Sequence, residues 1–550
     1  MVGDPAAELA AGREVDLRGA RFPAAALAAV LVAPGSGRLR LRRAVVTGEL
    51  QLVGVRVERP VELLHCTFTD EPDLRMADFA GLALTGCRLP GLQAGNLRVG
   101  ADLLLNDGFV AAGPVHLPDA QVDGSLRLSA STLQGRGRAA LIADRIVVGG
   151  TCYARRLHSD GELRLPRARV SGDLDLAGAV LASTTGDALD ATGCSIGGSL
   201  LAGRHLDEPD LSFAATGRVL LSGARIEGDL VLSGARIDRA ADPGGVAEPP
   251  ELDTVESRMP PVPFGIIDAS TCLVADRIRI EGNLELDDGL RTDGTVRLPN
   301  AVIGGYVRLS GARLSGPNGA AASGIALLGD GMHVGGDLEG RDHGRGPLVC
   351  RGQLRLVGAQ IRGSASLSRI ELTAPDGYAL LADRLHVGGD FFLRRIDCQG
   401  TLRLQDAEIG ANLECVGARL TRPRRRPDGS VRPSLDARTA TIGKDLVCTE
   451  GFVATGGVRL RRTEARKSVQ IEDARLAGDP DTGFARYALN AYGLTTAELI
   501  LRPAVPPGGA VRLAQAQVGT LDDSELLWAG RARARPDRVQ LRTAERHPCD

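Results

Sequence analysis

Apolar residues return along this chain with the two-residue rhythm of a strand, broken at regular steps by small and polar residues. The segment "IEGDLVLSGARI", residues 226–237, shows the unit. With Ile226 as slot 0, Leu230, Leu232, Ala235 and Ile237 fall at slots 4, 6, 9 and 11. The same slots hold Leu174, Leu176, Ala179 and Leu181 after Val170, and Ala365, Leu367, Ile370 and Leu372 after Ile361. "VERPVELLHCTF" also fits, with Val61, Leu63, Cys66 and Phe68 after Val57. Slots 4 and 6 flank a variable, often charged slot 5, so one side of each segment faces a core. Gly or a small polar residue marks each bend. Two eleven-residue units make 22 residues, the distance from Val148 to Val170 and from Val387 to Ile409.

A coarser period overlies this one. The aliphatic residues that precede the Gly-rich step are Val46, Val99, Val148, Ile196, Ile280, Val334, Val387 and Ile442. Their spacing centres near 53, apart from one gap of 84 between Ile196 and Ile280. A fixed period of this length means a repeat architecture. The pattern predicts an all-β fold: a single-stranded parallel β-helix, right-handed, with about 22 residues per coil. The 53-residue period is then two coils plus a surface loop of about ten residues. One coil cannot bury its own apolar face, so the chain repeats it.

Helical patterning is scarce. "FPAAALAAVLVAP", residues 22–34, predicts a short helical cap within an N-terminal segment 1–36. The solenoid is expected over 37–520, with a tail over 521–550 in which "SELLWAGRARA" forms one short helix over the end. The long gap contains residues 238–265, Pro-rich and acidic, which read as a disordered surface insertion.

Composition narrows the class. Aromatics are 3% of the chain, so the core is filled by Leu, Val, Ile and Ala. The net charge of −2 gives no global attraction to nucleic acid or to an anionic membrane, and no acidic surface for DNA mimicry. The N-terminus lacks a basic start followed by an apolar run, and no 18-residue apolar run occurs. The expected location is the cytoplasm, either free or peripheral to the inner face of a membrane, with no direct membrane span.

Candidate chemistry is sparse. Ten cysteines occur without a CxxC pair, and seven (Cys66, Cys87, Cys152, Cys194, Cys398, Cys415 and Cys448) fall on inward slots. They read as reduced core residues, with Cys415 and Cys448 stacked on adjacent coils. His333 and His386 are repeat equivalents, expected two coils apart and so beyond the reach of one metal. Slot 3 holds Asp102, Asp173, Asp229, Asp337, Asp390 and Asp445, with Asn283 and Asn412. A carboxylate ladder suits Ca²⁺ or acid–base work on polysaccharide. Ser125, Thr151, Ser199 and Ser364 fill the same slot, which favours residues that hydrogen-bond nearby backbone at a turn. Nucleotide motifs are missing: no GxGxxG lies between a strand and a helix, and no GxxxxGK[ST] occurs. No cofactor, metal or catalytic residue is therefore assigned. The candidates for interaction are Arg422, Arg424, Arg425, Arg426 and Arg432, in "TRPRRRPDGSVRP", and Trp528. The arginines suit phosphate or an acidic partner. No aromatic residue interleaves with them, so nucleic acid is not expected.

"IEGDLVLSGARI", "VGGDFFLRR", "ALLADRLHVGGD" and "DEPDLRMADFAGLALTGCRLPGL" resemble a family of long repeat proteins from high-GC bacteria. Its members often carry the label membrane-associated oxidoreductase, and the resemblance covers roughly residues 13–525. In that family the repeats are followed by a helical segment and hydrophobic membrane helices, and residues 521–550 show neither. The coil is more loosely similar to pentapeptide-repeat proteins and bactofilins. The resemblance implies an oxidoreductase-type protein, for which the residues offer no cofactor motif. The residues themselves favour a non-enzymatic scaffold, working through a protein partner or by end-to-end self-assembly.

Overall fold

The computed structural model describes residues 4–35, 37–205, 208, 211–239, 270–317, 324–342, 344, 346–426, 429–478, 487–529 and 540–541. The acidic insertion beyond Arg239, most of the tail beyond Ala529, and Cys549 lie outside the described residues. The chain is a parallel β-solenoid of about 19 turns averaging about 24 residues. It divides into two compact units, Met1–Ala275 and Asp276–Asp550.

Each coil in either unit is four-sided. In unit 1 one coil runs through the short strands Arg98–Val99, Leu103–Leu104, Val110–Ala111 and Val115–His116 before Gln121–Val122 begins the next. The first two strands join one parallel ladder and the next two another. Val99, Leu103, Leu105, Phe109, Ala111, Val115, Leu117 and Ala120 all point inward and are fully buried. Slots stack on like slots. Val99 pairs with Val122, which pairs with Val148, which pairs with Val170. In unit 2 Ile361, Val387, Ile409 and Ile442 form the same column.

The two ladders meet at tight corners that need a left-handed residue. One lies at slot 8, occupied by His65 (φ 53°), Arg156 (φ 54°), Gly234 (φ 71°) and Arg395 (φ 52°). Non-Gly residues rarely adopt this conformation, and here the ladder bonds on both sides hold it. Arg395 N–H, for example, donates to Val416 O at 2.7 Å.

The average exceeds 22 residues because, from Leu133 onward, alternate coils carry a loop at one corner, between slots 11 and 15, and two of the others lengthen after slot 6, where Ala202 to Phe213 takes eleven residues and Gly340 to Leu348 eight against three for Leu176 to Ala179. In unit 1 Ala111 reaches Val115 in four residues, but Leu133 needs eight to reach Leu141. Ser159 to Leu163 is again four and Leu181 to Leu189 eight. Unit 2 repeats the alternation. Cys350 to Leu354 takes four, Leu372 to Leu380 eight, Cys398 to Leu402 four and Leu420 to Leu435 fifteen. Two coils, one plain and one looped, make the 53-residue period from Val99 onward; Val46, expected in the same column, instead pairs with Phe22 and Phe68 in the other ladder, because the apolar slots 0 and 11 look alike in sequence.

The N-terminal coil is closed by two helices, α1 (Pro5–Ala10) and α2 (Ala24–Val32). The expected helix is thus confined to 24–32. Phe22 instead lies in the strand Arg21–Pro23, paired with Val45–Thr47, and α1 is an element the apolar pattern did not announce. Ala24, Leu27, Val30 and Leu31 are the buried face of α2. Near the other terminus α3 (Glu525–Trp528) is a single turn with Leu527 buried, and the strand Gln540–Leu541 pairs with Gln517 and Val518. Among the described residues no helix is long and apolar enough to cross a membrane.

Candidate interaction surface

The corner between slots 11 and 15 is where the coils differ most often, with further length changes after slot 6, the two largest at Ala202–Phe213 and Gly340–Leu348, while the stacked slots scarcely vary. In each unit successive loops are two coils apart, about 10 Å by the strand spacing. Five plain coils cross this corner on a glycine two residues past the buried strand position: Gly161 (φ 137°), Gly217 (φ 120°), Gly294 (φ 127°), Gly352 (φ 115°) and Gly400 (φ 133°). A side chain at Gly400 would strain that backbone and would meet Ala374 O at 2.6 Å and the Ala379 Cβ at 2.9 Å. The loop of one coil therefore closes down on the glycine of the next.

The arginine segment is one of these loops. It folds as a hairpin over 421–434, with Arg425 bridging Val431 and with Pro423 and Val431 buried; its residues 427–428 lie outside the described set. The hairpin crosses the plain corner at Gly400 to reach the loop after Leu372. Arg424 N–H donates to Thr401 Oγ1 at 3.0 Å, and Arg425 N–H donates to Asp376 O at 3.1 Å. Arg422 and Arg425 approach the Asp376 carboxylate at 3.3 and 3.6 Å. The Arg424 guanidinium lies 4.5 Å over the Tyr378 ring. Arg403 donates to the Tyr378 hydroxyl at 3.1 Å and pairs with Asp383 at 2.9 Å. Arg432 is half-buried; desolvation, with Arg426, Arg459 and Arg403 close by, lowers its pKa. Burial also pushes Asp383 up to about 6, against the pull of Arg403. The five arginines thus form one anchored cluster. Trp528 is not among its contacts: its indole N–H donates to Asp523 Oδ2 at 2.9 Å.

The other sequence candidates have structural partners. Slot 3 forms a ladder along the stack. Asp102 accepts the N–H of Ser125 at 2.8 Å, Asp173 that of Ser199 at 2.7 Å, Ser199 that of Asp229 at 3.0 Å and Asp337 that of Ser364 at 2.8 Å. The turn-type reading of this slot fits, with the bond made to the following coil. No cluster of three or more His, Cys, Asp or Glu placed to hold a metal occurs among the described residues. His333 and His386 are indeed two coils apart, each paired with Gln360 between them. Nine cysteines are free and buried. Burial alone lifts the Cys350 thiol to about 12, and Cys152 and Cys194 reach about 12 chiefly by burial. Cys66 and Cys87 stack, with Cys66 N–H donating to Cys87 Sγ at 3.4 Å.

One set of charged residues escapes the slot pattern. Asp144 pairs with Arg164 at 3.1 Å in unit 1; in unit 2 Asp276 pairs with Arg297 at 2.7 Å and Asp330 with Arg355 at 2.7 Å. Each aspartate precedes a left-handed corner and reaches an arginine one coil further on. The recurring "ADR" wording at Asp144, Asp276 and Asp383 was the available signal.

Comparison with family models, with curated proteins and with solved structures finds no match to this chain.

Proposed function

We propose that the protein is a non-enzymatic scaffold that presents the looped corner of its solenoid to a protein partner. The observation that carries this reading is the alternation at slots 11–15. A stack that turns that corner in three or four residues in the coils up to Ala111 spends at least eight on it in alternate coils from Leu133 onward. Loops gathered on one edge of a repeat stack form its recognition surface. The N-terminal coil, closed by α1 and α2, does not favour stacking through that end.

Photo-crosslinking residues at Arg138 and Pro375, on the looped corner, are compared with Gln121 and Gln360 on the opposite ladder, in cells of the source. Adducts confined to the first two positions support the reading. Equal adducts at all four, or none, overturn it. Light scattering over a concentration series is run beside it, and a mass that climbs with concentration marks end-to-end assembly instead.

A further inference from the structure

The first coil turns the corner between the two ladders more widely than the coils that follow it. Val15 pairs with Leu41 and Arg21 with Val45. Yet Val15 takes five residues to reach Ala20, where Leu41 takes three to reach Ala44 and Leu63 three to reach Cys66. The wider turn exposes Arg18 (φ 50°) and Gly19 (φ 93°), and a Cβ at Gly19 would meet nothing within 4 Å. The next two corner residues lean apart. Arg43 reaches back one coil, its Nε–H donating to Asp16 Oδ1 at 2.9 Å. His65 leans forward one coil, since a Cβ at Gly86 would lie 2.3 Å from its Nδ1. A cleft of about 670 Å³ lies here, lined by Arg18, Gly19, Arg43, Val45, His65 and Thr67 among others.

The donors in this cleft are unused. Among the described residues no hydrogen bond or ion pair engages the Arg18 guanidinium, the His65 ring or the Thr67 hydroxyl. Asp16 is the carboxylate that the lining meets, and both its oxygens accept from Arg43, with the Arg18 backbone N–H also on Oδ1 at 3.1 Å. Arg18, Arg43 and the pair His65 and Thr67 stand on three successive coils, about 4.8 Å apart, and so approach from different directions. A carboxylate offers two oxygens in one plane and suits a single guanidinium fork. A phosphate group offers its oxygens in a tetrahedral array and can take a fork, a ring N–H and a hydroxyl together. The volume is that of a small-molecule site. None of the lining residues is a large exposed apolar side chain that a bilayer surface would take up.

We infer that this cleft binds the phosphate group of a small soluble molecule, held by Arg18, His65 and Thr67. The site lies in unit 1, away from the looped corner, and stands independently of the scaffold reading.

The test follows the ³¹P linewidth of inorganic phosphate as the full chain is added at constant ionic strength. Arg18→Asn/His65→Asn removes two donors while keeping residues that tolerate the left-handed backbone. Gly86→Ala keeps both donors but displaces the ring, and Ala130 (φ 54°) shows that this corner accepts alanine. Arg291→Ser/Arg313→Ser removes an exposed, stacked pair of arginines in unit 2. The expected result is saturable broadening in the parent, unchanged in the unit 2 variant, at least fivefold smaller in Arg18→Asn/His65→Asn and at least twofold smaller in Gly86→Ala. Equimolar acetate should leave it in place, and unchanged melting of the variants shows that the fold is kept. No broadening by the parent, equal broadening by Arg18→Asn/His65→Asn, or displacement by equimolar acetate overturns the inference. Full broadening by Gly86→Ala overturns the role of His65. Sedimentation of the parent with vesicles containing phosphatidic acid, lost in Arg18→Asn/His65→Asn, would place the phosphate on a lipid headgroup and overturn the soluble ligand.

Discussion

Asp390 Oδ1 accepts the backbone N–H of Asn412 at 3.0 Å and its side-chain N–H at 2.9 Å, one coil further along the stack. The bond exists because the ladder reverses at this corner. Gly388 and Gly389 donate their N–H groups back to Ile361 O and Gly363 O, whereas Phe391 donates forward to Asn412 O. The residue between them, at slot 3, has no carbonyl in either direction. A side-chain oxygen from the preceding coil supplies the acceptor, and the N–H of Asp390 itself uses Ser364 Oγ at 3.1 Å.

Asp390→Ala leaves the Asn412 N–H without this acceptor, at a cost of about 1–3 kcal/mol. Chemical denaturation of unit 2 should show the loss, and Asp390→Ser should recover most of it, since serine serves this slot elsewhere. Because the carboxylates work as acceptors, neither EDTA nor added Ca²⁺ should move the melting temperature of the parent protein. A calcium-dependent rise would restore the ion-ladder reading of slot 3.

Gly400→Ala tests the plain corner. Its φ of 133° and its approach to Ala374 O both exclude a side chain. The expected penalty is about 1–3 kcal/mol from backbone strain alone. Hydrogen exchange should also quicken in the loops on either side, at 373–379 and 421–434, since both pack against this turn. Slow exchange there in the variant would show that the loops hold without the glycine.

The slots could be read because inward residues recur at fixed steps and burial demands them. Val387, Phe391, Leu393, Ile396 and Cys398 fell into place by period alone. The 53-residue period also announced paired coils with a loop, but not its corner, because slot counting cannot say on which side of a closed coil a bend lies. The buried ion pairs were not legible: Asp330 and Arg355 are neighbours only once the intervening loop is folded out of the count. The arginines of the hairpin stood out as candidates for interaction, but their anchoring did not, since nothing in "TRPRRRPDG" shows that Tyr378 and Asp376 wait one period earlier. α1 escaped notice because its six residues bury one side chain, Leu9.

Arg59 should decide whether the N-terminal cap is locked. It occupies slot 2, where later coils often carry glycine, and is 4% exposed. Its guanidinium donates to Ala10 O at 3.0 Å and to Val30 O at 3.1 Å, satisfying carbonyls at the ends of both α1 and α2. Arg59→Ala loses two charge-assisted bonds, about 2–4 kcal/mol together. Protection of the amides over 5–10 and 24–32 should fall while that of the coils beyond Val99 stays. Uniform loss along unit 1 would mean that the cap and the stack open as one.

Glu162 gives unit 1 a pH dependence. Burial, reinforced by Asp187, Asp190 and Asp144 against the pull of Arg164, raises its pKa from 4.5 to about 7. The folded chain therefore holds this proton more tightly than the unfolded chain. Below about pH 4.5 the group is neutral in both states and costs nothing. Between about 4.5 and 7 the unfolded state gains by ionising first, so stability falls as pH rises, and above 7 the penalty is constant. Glu162→Gln removes the ionisation. It should stabilise unit 1 at pH 8, by an amount that shrinks to nothing by about pH 4. Denaturation midpoints of parent and variant across that range provide the check. A gap that stays constant with pH would show that the glutamine acts through packing, with Glu162 ionising in the folded chain as it does in the unfolded one.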